Sequence, residues 1–182
     1  LHLLEEWEDK VVVLRALQAG GIPVLPIVGA GPVTAEFPLI GKPRRGWGSQ
    51  GVVTVASAAG FDAAVASDLD GRMFWQRKLA EFTAWSADFA IDERGRVSPL
   101  VLRERLRVSG GFAVVSRVDI AAPVGDVAFR TAMWLAARGA CGIINVQVLV
   151  EPSGAQWVND VNLRPGTSSG AALGAGVNLA AF

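Results

Sequence analysis

Cysteine and histidine are almost absent from the 182-residue chain: Cys141 is the only cysteine and His2 the only histidine. A lone cysteine excludes an internal disulfide and a multi-cysteine zinc site. A lone histidine at the far end excludes a His-based triad, a His-rich metal site and the HExxH pattern. Any bound metal must therefore be held by oxygen, which favours Mg²⁺, Mn²⁺ or Ca²⁺. An excess of either charge is also missing, because 17 Lys and Arg residues offset 17 Asp and Glu residues. That balance argues against a general nucleic-acid or membrane-surface binder. No apolar run reaches membrane-spanning length, since Pro23, Pro26 and Pro32 interrupt the best candidate. The first residues lack a basic segment followed by an apolar one, so no signal peptide is expected and a cytoplasmic setting is. Disorder is excluded by the 51% hydrophobic content.

What is present suits one domain or two small lobes sharing a core. Both ends read as cut: there is no initiator Met, and Val177–Phe182 is an apolar finish. A piece of a longer protein is expected. Leu3, Leu4, Trp7, Val11, Leu14 and Leu17 recur at helical spacing over residues 3–19, and Gly20-Gly21 ends that helix. Residues 21–26 are extended, because each residue before a proline is pushed out of the helical region. Strands are expected at 37–43, 52–55, 79–82, 88–92, 97–108, 142–150 and 156–163, with a turn at Asp92–Gly95. A helix is expected over 60–69, and another runs from an Asp126 N-cap to Gly139. The Gly-, Ala- and Ser-rich tail has room for a last one. The class is α+β.

Two local patterns carry chemistry. The first runs from Lys42 to Val52 and contains Gly46-Trp47-Gly48-Ser49-Gln50-Gly51. Its glycines let backbone amides approach a phosphate that Lys42 can neutralise, although a flexible turn with a solvated basic rim would look alike. A Rossmann fingerprint needs a helix after the glycines, and here β-branched Val52–Val55 predicts a strand. A Walker loop places its lysine after the glycines, and Lys42 precedes them. Protein kinases need HRD and DFG motifs, and neither occurs. What remains is a strand, a lysine, a glycine hairpin and a strand covering an anion from above.

The second pattern pairs Asn145-Val146-Gln147-Val148 with Asp160-Val161-Asn162-Leu163-Arg164 across a turn at Ser153-Gly154. Symmetry about that turn sets Gln147 opposite Asp160 and Asn145 opposite Asn162. Alternation along a strand then gathers all four polar side chains on one face. Val146, Val148, Val150, Trp157 and Val161 share the other face, with Asn159 as the exception. So many oxygen donors suit Mg²⁺ bridging phosphates, with Arg164 placed to hold a phosphoryl oxygen. An ordinary half-exposed polar face is the alternative. Arg103, Arg105 and Arg107 also alternate, as an exposed basic stripe or as the lining of an anion pocket.

Taken in order, these motifs resemble the ATP-grasp fold, and most closely the ligase domains of the carbamoyl-phosphate synthase and carboxylate–amine ligase type. The resemblance runs from Asp9 to the C-terminus. Asp9-Lys10 with Gly21–Pro26 is similar to the leading "DK…GIPxP" segment, and Lys42–Val52 to the "KPxxGxGSxGV" lysine and flap. Glu81 and Asp88 match the two acidic positions that read adenine and ribose, and Ser86–Asp92 looks like the "GxEYSVD" segment. Gln147, Asp160 and Asn162 match the magnesium ligands, with Arg164 beside them. Asp88 and Asp160 are departures, since the family usually has Glu at both. The segment between Pro26 and Lys42 is also shorter than in most relatives.

The resemblance implies a leading helix (1–21), a small lobe with the glycine loop (22–75) and a larger lobe with the metal site (76–182). ATP would lie between the lobes. Lys10, Lys42, Gly46, Gly48, Ser49, Gly51, Glu81 and Asp88 would hold it, with Mg²⁺, or Mn²⁺ as the alternative, on Gln147, Asp160 and Asn162. Lys42 and Arg164 would stabilise the transferring group while a carboxylate or bicarbonate becomes an acyl phosphate for an amine to attack. The implied partners are the small-molecule acid and amine and a preceding domain of the same protein, with a homodimer allowed and no nucleic acid or membrane. A degenerate, non-catalytic ATP-binding regulatory module is the alternative function, and a purely structural domain a third.

Overall fold

A computed structural model of the chain describes residues 7–29, 36–119, 122–167 and 169–182. The first helix, α1 (Lys10–Ala19), is set by Asp9, whose side chain accepts a hydrogen bond from the Val11 amide at 2.9 Å. That N-cap satisfies an amide with no partner inside the helix. It interrupts the helix expected over 3–19, of which residues 3–6 lie outside the described residues. Four antiparallel strands follow: β1 (Ile27–Val28), β2 (Leu39–Pro43), β3 (Val53–Val55) and β4 (Met73–Arg77), ordered β1-β4-β2-β3. Between β3 and β4, α2 (Ala58–Ser67) starts at a Ser57 cap.

The second sheet contains β5 (Thr83–Ile91), β6 (Val101–Ser109), β7 (Phe112–Val118), β8 (Gly142–Val150) and β9 (Gln156–Asn162). Its order is β7-β6-β5-β8-β9, antiparallel throughout. Helix α3 (Gly125–Ala136) joins β7 to β8, and the tail forms α4 (Ala171–Gly174) and a 3₁₀ turn at Leu179–Ala181. The expected α+β class is the observed one. Among the described residues, no helix is long and apolar enough to cross a membrane.

Several boundaries differ from expectation. Residues 79–82 form an irregular connection, and the strand lies earlier, at Met73–Arg77. Phe74 faces the main core while Trp75 faces a second cluster, so β4 is buried on both sides and shows no alternation. β4 also crosses the division expected at 75/76. Strand β7 was not expected, and most of its residues are exposed, Phe112, Val114, Val115 and Val118 among them. Asp126 is not the cap of α3. The helix starts after Val124 with no side-chain cap, and Asp126 sits in its first turn, where a carboxylate suits the positive end of the helix dipole.

The main core lies on one face of the five-stranded sheet. Val11, Leu14 and Leu17 of α1 and Val127, Ala128 and Leu135 of α3 pack against Trp85, Phe89, Ile144, Val146 and Val148. A smaller cluster, Leu39, Val55, Phe61 and Trp75, lies between the four-stranded sheet and α2. Since side chains alternate, filling one face of the large sheet with core residues turns Asp88, Arg103, Arg105, Asn145, Gln147, Asp160 and Asn162 to the other. That polar face looks toward the small sheet.

Candidate functional site

The start of α1 is tied to the end of β2. The Arg44 guanidinium donates to Asp9 Oδ2 from Nη2 at 2.6 Å and from Nε at 2.9 Å, and the Lys10 amide donates to the Arg44 carbonyl at 2.8 Å. Burial pushes the Asp9 carboxyl up, but Arg44 and the Val11 amide outweigh it and hold it below its ordinary value. With the helix start fixed, Lys10 reaches around edge strand β9, and its Nζ lies 2.8 Å from Asp160 Oδ1.

Lys42 projects from β2 into the same space. Its Nζ donates to Gln76 Oε1 at 2.9 Å and to Asn159 Oδ1 at 2.8 Å. Both acceptors are neutral. Burial therefore lowers its pKa to about 8, with Asp160 raising it and Lys10 lowering it further. Gln76 is itself positioned, since its Nε2 donates to the Leu25 carbonyl at 2.7 Å.

The β8–β9 register is the one expected from the turn, with Asn145 opposite Asn162 and Gln147 opposite Asp160. The ladder then shifts, because Val148 pairs with Val158 and Asn159 becomes an extra residue. Such a bulge lets two successive side chains address one face. It explains why Asn159 broke the alternation, and it delivers that amide to Lys42. Asn159 and Gln76 are site residues that sequence reasoning missed. The visible signal for Asn159 was a polar residue on an apolar face; Gln76, inside a buried run, gave none.

The arginine stripe is not an exposed one. Arg103 is 1% exposed and only Arg107 of the three is exposed. Arg105 donates from Nη1 to Gln147 Oε1 at 3.0 Å and from Nη2 to the Gly111 carbonyl at 2.7 Å. Asp88, 0% exposed, takes Arg103 on Oδ2, and Asn145 Nδ2 at 2.8 Å and Ser169 Oγ at 2.6 Å on Oδ1.

A cleft of about 400 Å³ opens between the sheets. Lys10, Lys42, Gly46, Gly48, Ser49, Gln147 and Asp160 all line it, together with Asn159 and Arg105. Along β2 from Lys42 to Ile40, and along β8 from Gln147 to Leu149, its wall turns from polar to apolar, and Leu25, Leu79 and Phe82 extend the apolar part. Two adjoining cavities, of about 440 and 60 Å³, hold Asn162 and Arg164, and Trp47 and Asp160 border all three spaces. Gly51 turns the loop back beneath Pro43 and does not line the cleft. Neither do Glu81, exposed on the connection before β5, or Asp88, sealed beneath the polar face.

The donor set decides which cation fits. Among the described residues there is no group of three or more His, Cys, Asp or Glu side chains able to cage a metal. Asp160 is the one carboxylate, with the Gln147 and Asn162 amides beside it. Mg²⁺ keeps several waters and is usually held by one or two carboxylates plus substrate phosphates, so the set fits Mg²⁺ arriving with a phosphate ligand.

No protein-family model matches the sequence, and no curated protein does. Solved structures do match. The biotin carboxylase domain of Hydrogenobacter thermophilus 2-oxoglutarate carboxylase, a dimer in complex with MgADP, ADP and bicarbonate, matches at TM-score 0.80 and 12% identity, over 98% of this chain and 44% of that one. Staphylococcus aureus N5-carboxyaminoimidazole synthetase complexed with ADP matches at 0.80 and 14%, over 94% of this chain and 48% of that one. Campylobacter jejuni biotin carboxylase, in a β-γ-ATP complex, matches at 0.77 and 16%, over 96% and 44%. The chain thus spans under half the length of each. These neighbours are ATP-grasp proteins, and with two antiparallel sheets enclosing a lysine-lined cleft beneath a glycine loop, the chain has the ATP-grasp fold.

Proposed function

We propose that the cleft binds ATP with Mg²⁺, and that the domain serves an ATP-dependent ligase that activates a carboxylate or bicarbonate for attack by an amine. One observation carries the reading: the Lys10 ammonium on Asp160 and the Lys42 ammonium on Asn159 line one cleft with Gln147 and the glycine loop. The neighbours with ADP, MgADP and bicarbonate in their crystals support it. The apolar part of the cleft takes the base, and its volume falls in the usual range for small-ligand sites.

Lys10 and Lys42 hold phosphate oxygens. Gln147, Asp160 and Asn162 present oxygens to the cation, which when bound supplies charge neutralisation across the phosphates. Arg164, at the cavity mouth beside Asn162, meets the charge that builds on the transferring group. An acid oxygen attacks the γ-phosphorus and ADP leaves; the amine nitrogen then attacks the acyl carbon and phosphate leaves. No side-chain nucleophile is required, because positioning and electrostatics carry phosphoryl transfer. That suits a chain without a usable histidine. The acid and amine, and any further domain that binds them, are contributed from outside these residues.

The test is thermal unfolding with ATP, with and without Mg²⁺, beside Lys42→Ala. Nucleotide at a hundred times its dissociation constant stabilises by about 2.7 kcal/mol. A Mg²⁺-dependent shift that Lys42→Ala abolishes is expected, with Mg²⁺ alone giving none. No shift in the unmodified protein overturns the reading. ADP release stimulated by bicarbonate or a carboxylate then separates a ligase from a module that only binds.

A further inference from the structure

Two turns from different sheets meet where neither leaves room for a side chain. A Cβ on Gly111, in the β6–β7 turn, would lie 2.6 Å from the Gly48 carbonyl carbon and 2.8 Å from the Ser49 amide nitrogen. A Cβ on Gly48 would lie 3.3 Å from the Gly110 carbonyl oxygen and the Phe112 ring. The neighbouring glycines differ: Gly46 has nothing within 4 Å, and Gly110 meets only the Phe112 ring at 4.0 Å. All four have positive φ, so turn geometry alone does not distinguish Gly48 and Gly111. The difference is that these two form the contact between the glycine loop and the hairpin tip.

The hairpin tip is not held by a regular ladder, because the β6–β7 register shifts on both sides of Arg107. Arg105 holds it instead. One arm of its guanidinium donates to the Gly111 carbonyl and the other to Gln147 Oε1. A planar guanidinium can keep two acceptors at fixed separation, whereas one ammonium cannot.

We propose that Arg105 is a positioning residue: it fixes Gly111 as the seat on which the glycine loop closes and ties that seat to Gln147 on the cleft floor. Seating the loop keeps its backbone over the cleft and excludes water from it. The seat stands on the protein's own contacts, and its effect on nucleotide retention rests on the function proposed above.

Hydrogen exchange of the amides of residues 46–51 tests the seat without any ligand. Gly111→Ala and Arg105→Gln are expected to speed that exchange roughly tenfold, equivalent to about 1.4 kcal/mol of loop opening. Gly110→Ala, with a positive-φ cost of its own but no collision, leaves it within about twofold. Arg105→Lys behaves like Arg105→Gln. Exchange in β5 is unchanged throughout, which separates a lost seat from a lost fold. Should a hairpin variant raise β5 exchange too, the pair Gly48→Ala and Gly46→Ala asks the same question from the loop side, with trypsin cleavage after Arg45 as readout. Equal behaviour of Gly110→Ala and Gly111→Ala, or normal exchange in Arg105→Gln, overturns the proposal. With MgATP, the two seat variants are expected to raise the nucleotide dissociation constant about tenfold, and Gly110→Ala, which carries the positive-φ cost without the collision, is expected to leave it within about twofold. A seat that behaves as expected in a protein that binds no nucleotide leaves this inference intact and removes the nucleotide reading.

Discussion

Asp88 and Asp160 sit on the same face of the same sheet, and both replace a glutamate in the motifs the chain resembles. Their surroundings are opposite. Asp88 receives a hydrogen bond from Arg103 Nε at 2.7 Å, with Nη2 of the same ion pair at 2.6 Å, and one bond each from Asn145 and Ser169, so both its oxygens are engaged inside the protein. Asp160 receives Lys10 on one oxygen and only a 3.3 Å bond from Asn162 on the other. A carboxylate with both oxygens engaged inside the protein makes a joint between β5, β6, β8 and the tail. A carboxylate with spare capacity beside a cleft suits the ligand role proposed for Asp160. The sequence position of an acid does not decide between these roles; the acceptor capacity its neighbours leave does.

The strongest way to break that contrast is Asp88→Asn. It leaves the Arg103 guanidinium buried with a neutral partner, and removing one member of such a pair costs about 3–5 kcal/mol. A shift of the denaturant midpoint measures it, and a loss comparable to that of Asp160→Asn would erase the distinction. Asp160→Asn comes next. MgATP affinity should fall ten- to a hundredfold, in line with about 1.5–3 kcal/mol for a charged contact. Stability should fall less than in Asp88→Asn, because the side chains of the Lys10–Asp160 pair keep 22 and 17% exposure where those of Arg103 and Asp88 keep 2 and 0%. Calorimetric titration beside denaturation reads both.

Lys42 gives a smaller, pH-dependent effect. Its pKa is about 8 in the folded protein, against the ordinary lysine value of 10.5. Between those values the unfolded chain binds more protons than the folded one, so this group makes stability rise with pH across that window. Bound phosphate favours the ammonium, so MgATP binding near pH 8.5 should take up a fraction of a proton. Titrations in buffers of different ionisation enthalpy detect the uptake, and its absence would remove Lys42 from the phosphate contacts. Glu81→Gln should alter neither nucleotide affinity nor midpoint. A clear loss of affinity would bring this exposed residue back into the site.

The parts of the fold that were legible have a periodic signal read against one core. The β8–β9 register followed from a symmetric turn and from valines that had to face inward. The loop between β2 and β3 was legible from its glycines and the β-branched run after them. Residues 73–77 were not, because strand β4 packs on both sides and Phe74-Trp75-Gln76 shows no period. β7 was lost for the converse reason, exposure on both sides. Within the site, Lys10, Lys42, Gln147 and Asp160 were found by motif order. Asn159 showed only as the exception on an apolar face and Arg105 only as one of a stripe of three arginines, since local sequence does not reveal a bulge or a long-range bond to a backbone carbonyl. Asp88 had the right spacing and a different surrounding.

The strand order of the small sheet has a mechanical consequence. Among the described residues, the chain passes between the two sheets twice, at residues 20–26 and 78–82. Both crossings lead to the hydrogen-bonded neighbours β1 and β4. The hairpin that carries the glycine loop begins on the other side of β4, and β3 is the far edge. At about 4.8 Å per strand, β3 lies roughly 14 Å from β1. By chain connection alone the small sheet is a lever pivoted at one edge, and the Arg44–Asp9 pair, the Lys42–Asn159 bond and the Gly48–Gly111 contact are what hold its far side. A rotation of about 10° at the crossings carries β3 by roughly 2.4 Å on that arm, more than a hydrogen bond tolerates. Substitutions in the 78–82 connection therefore act at a distance, through the angle they set.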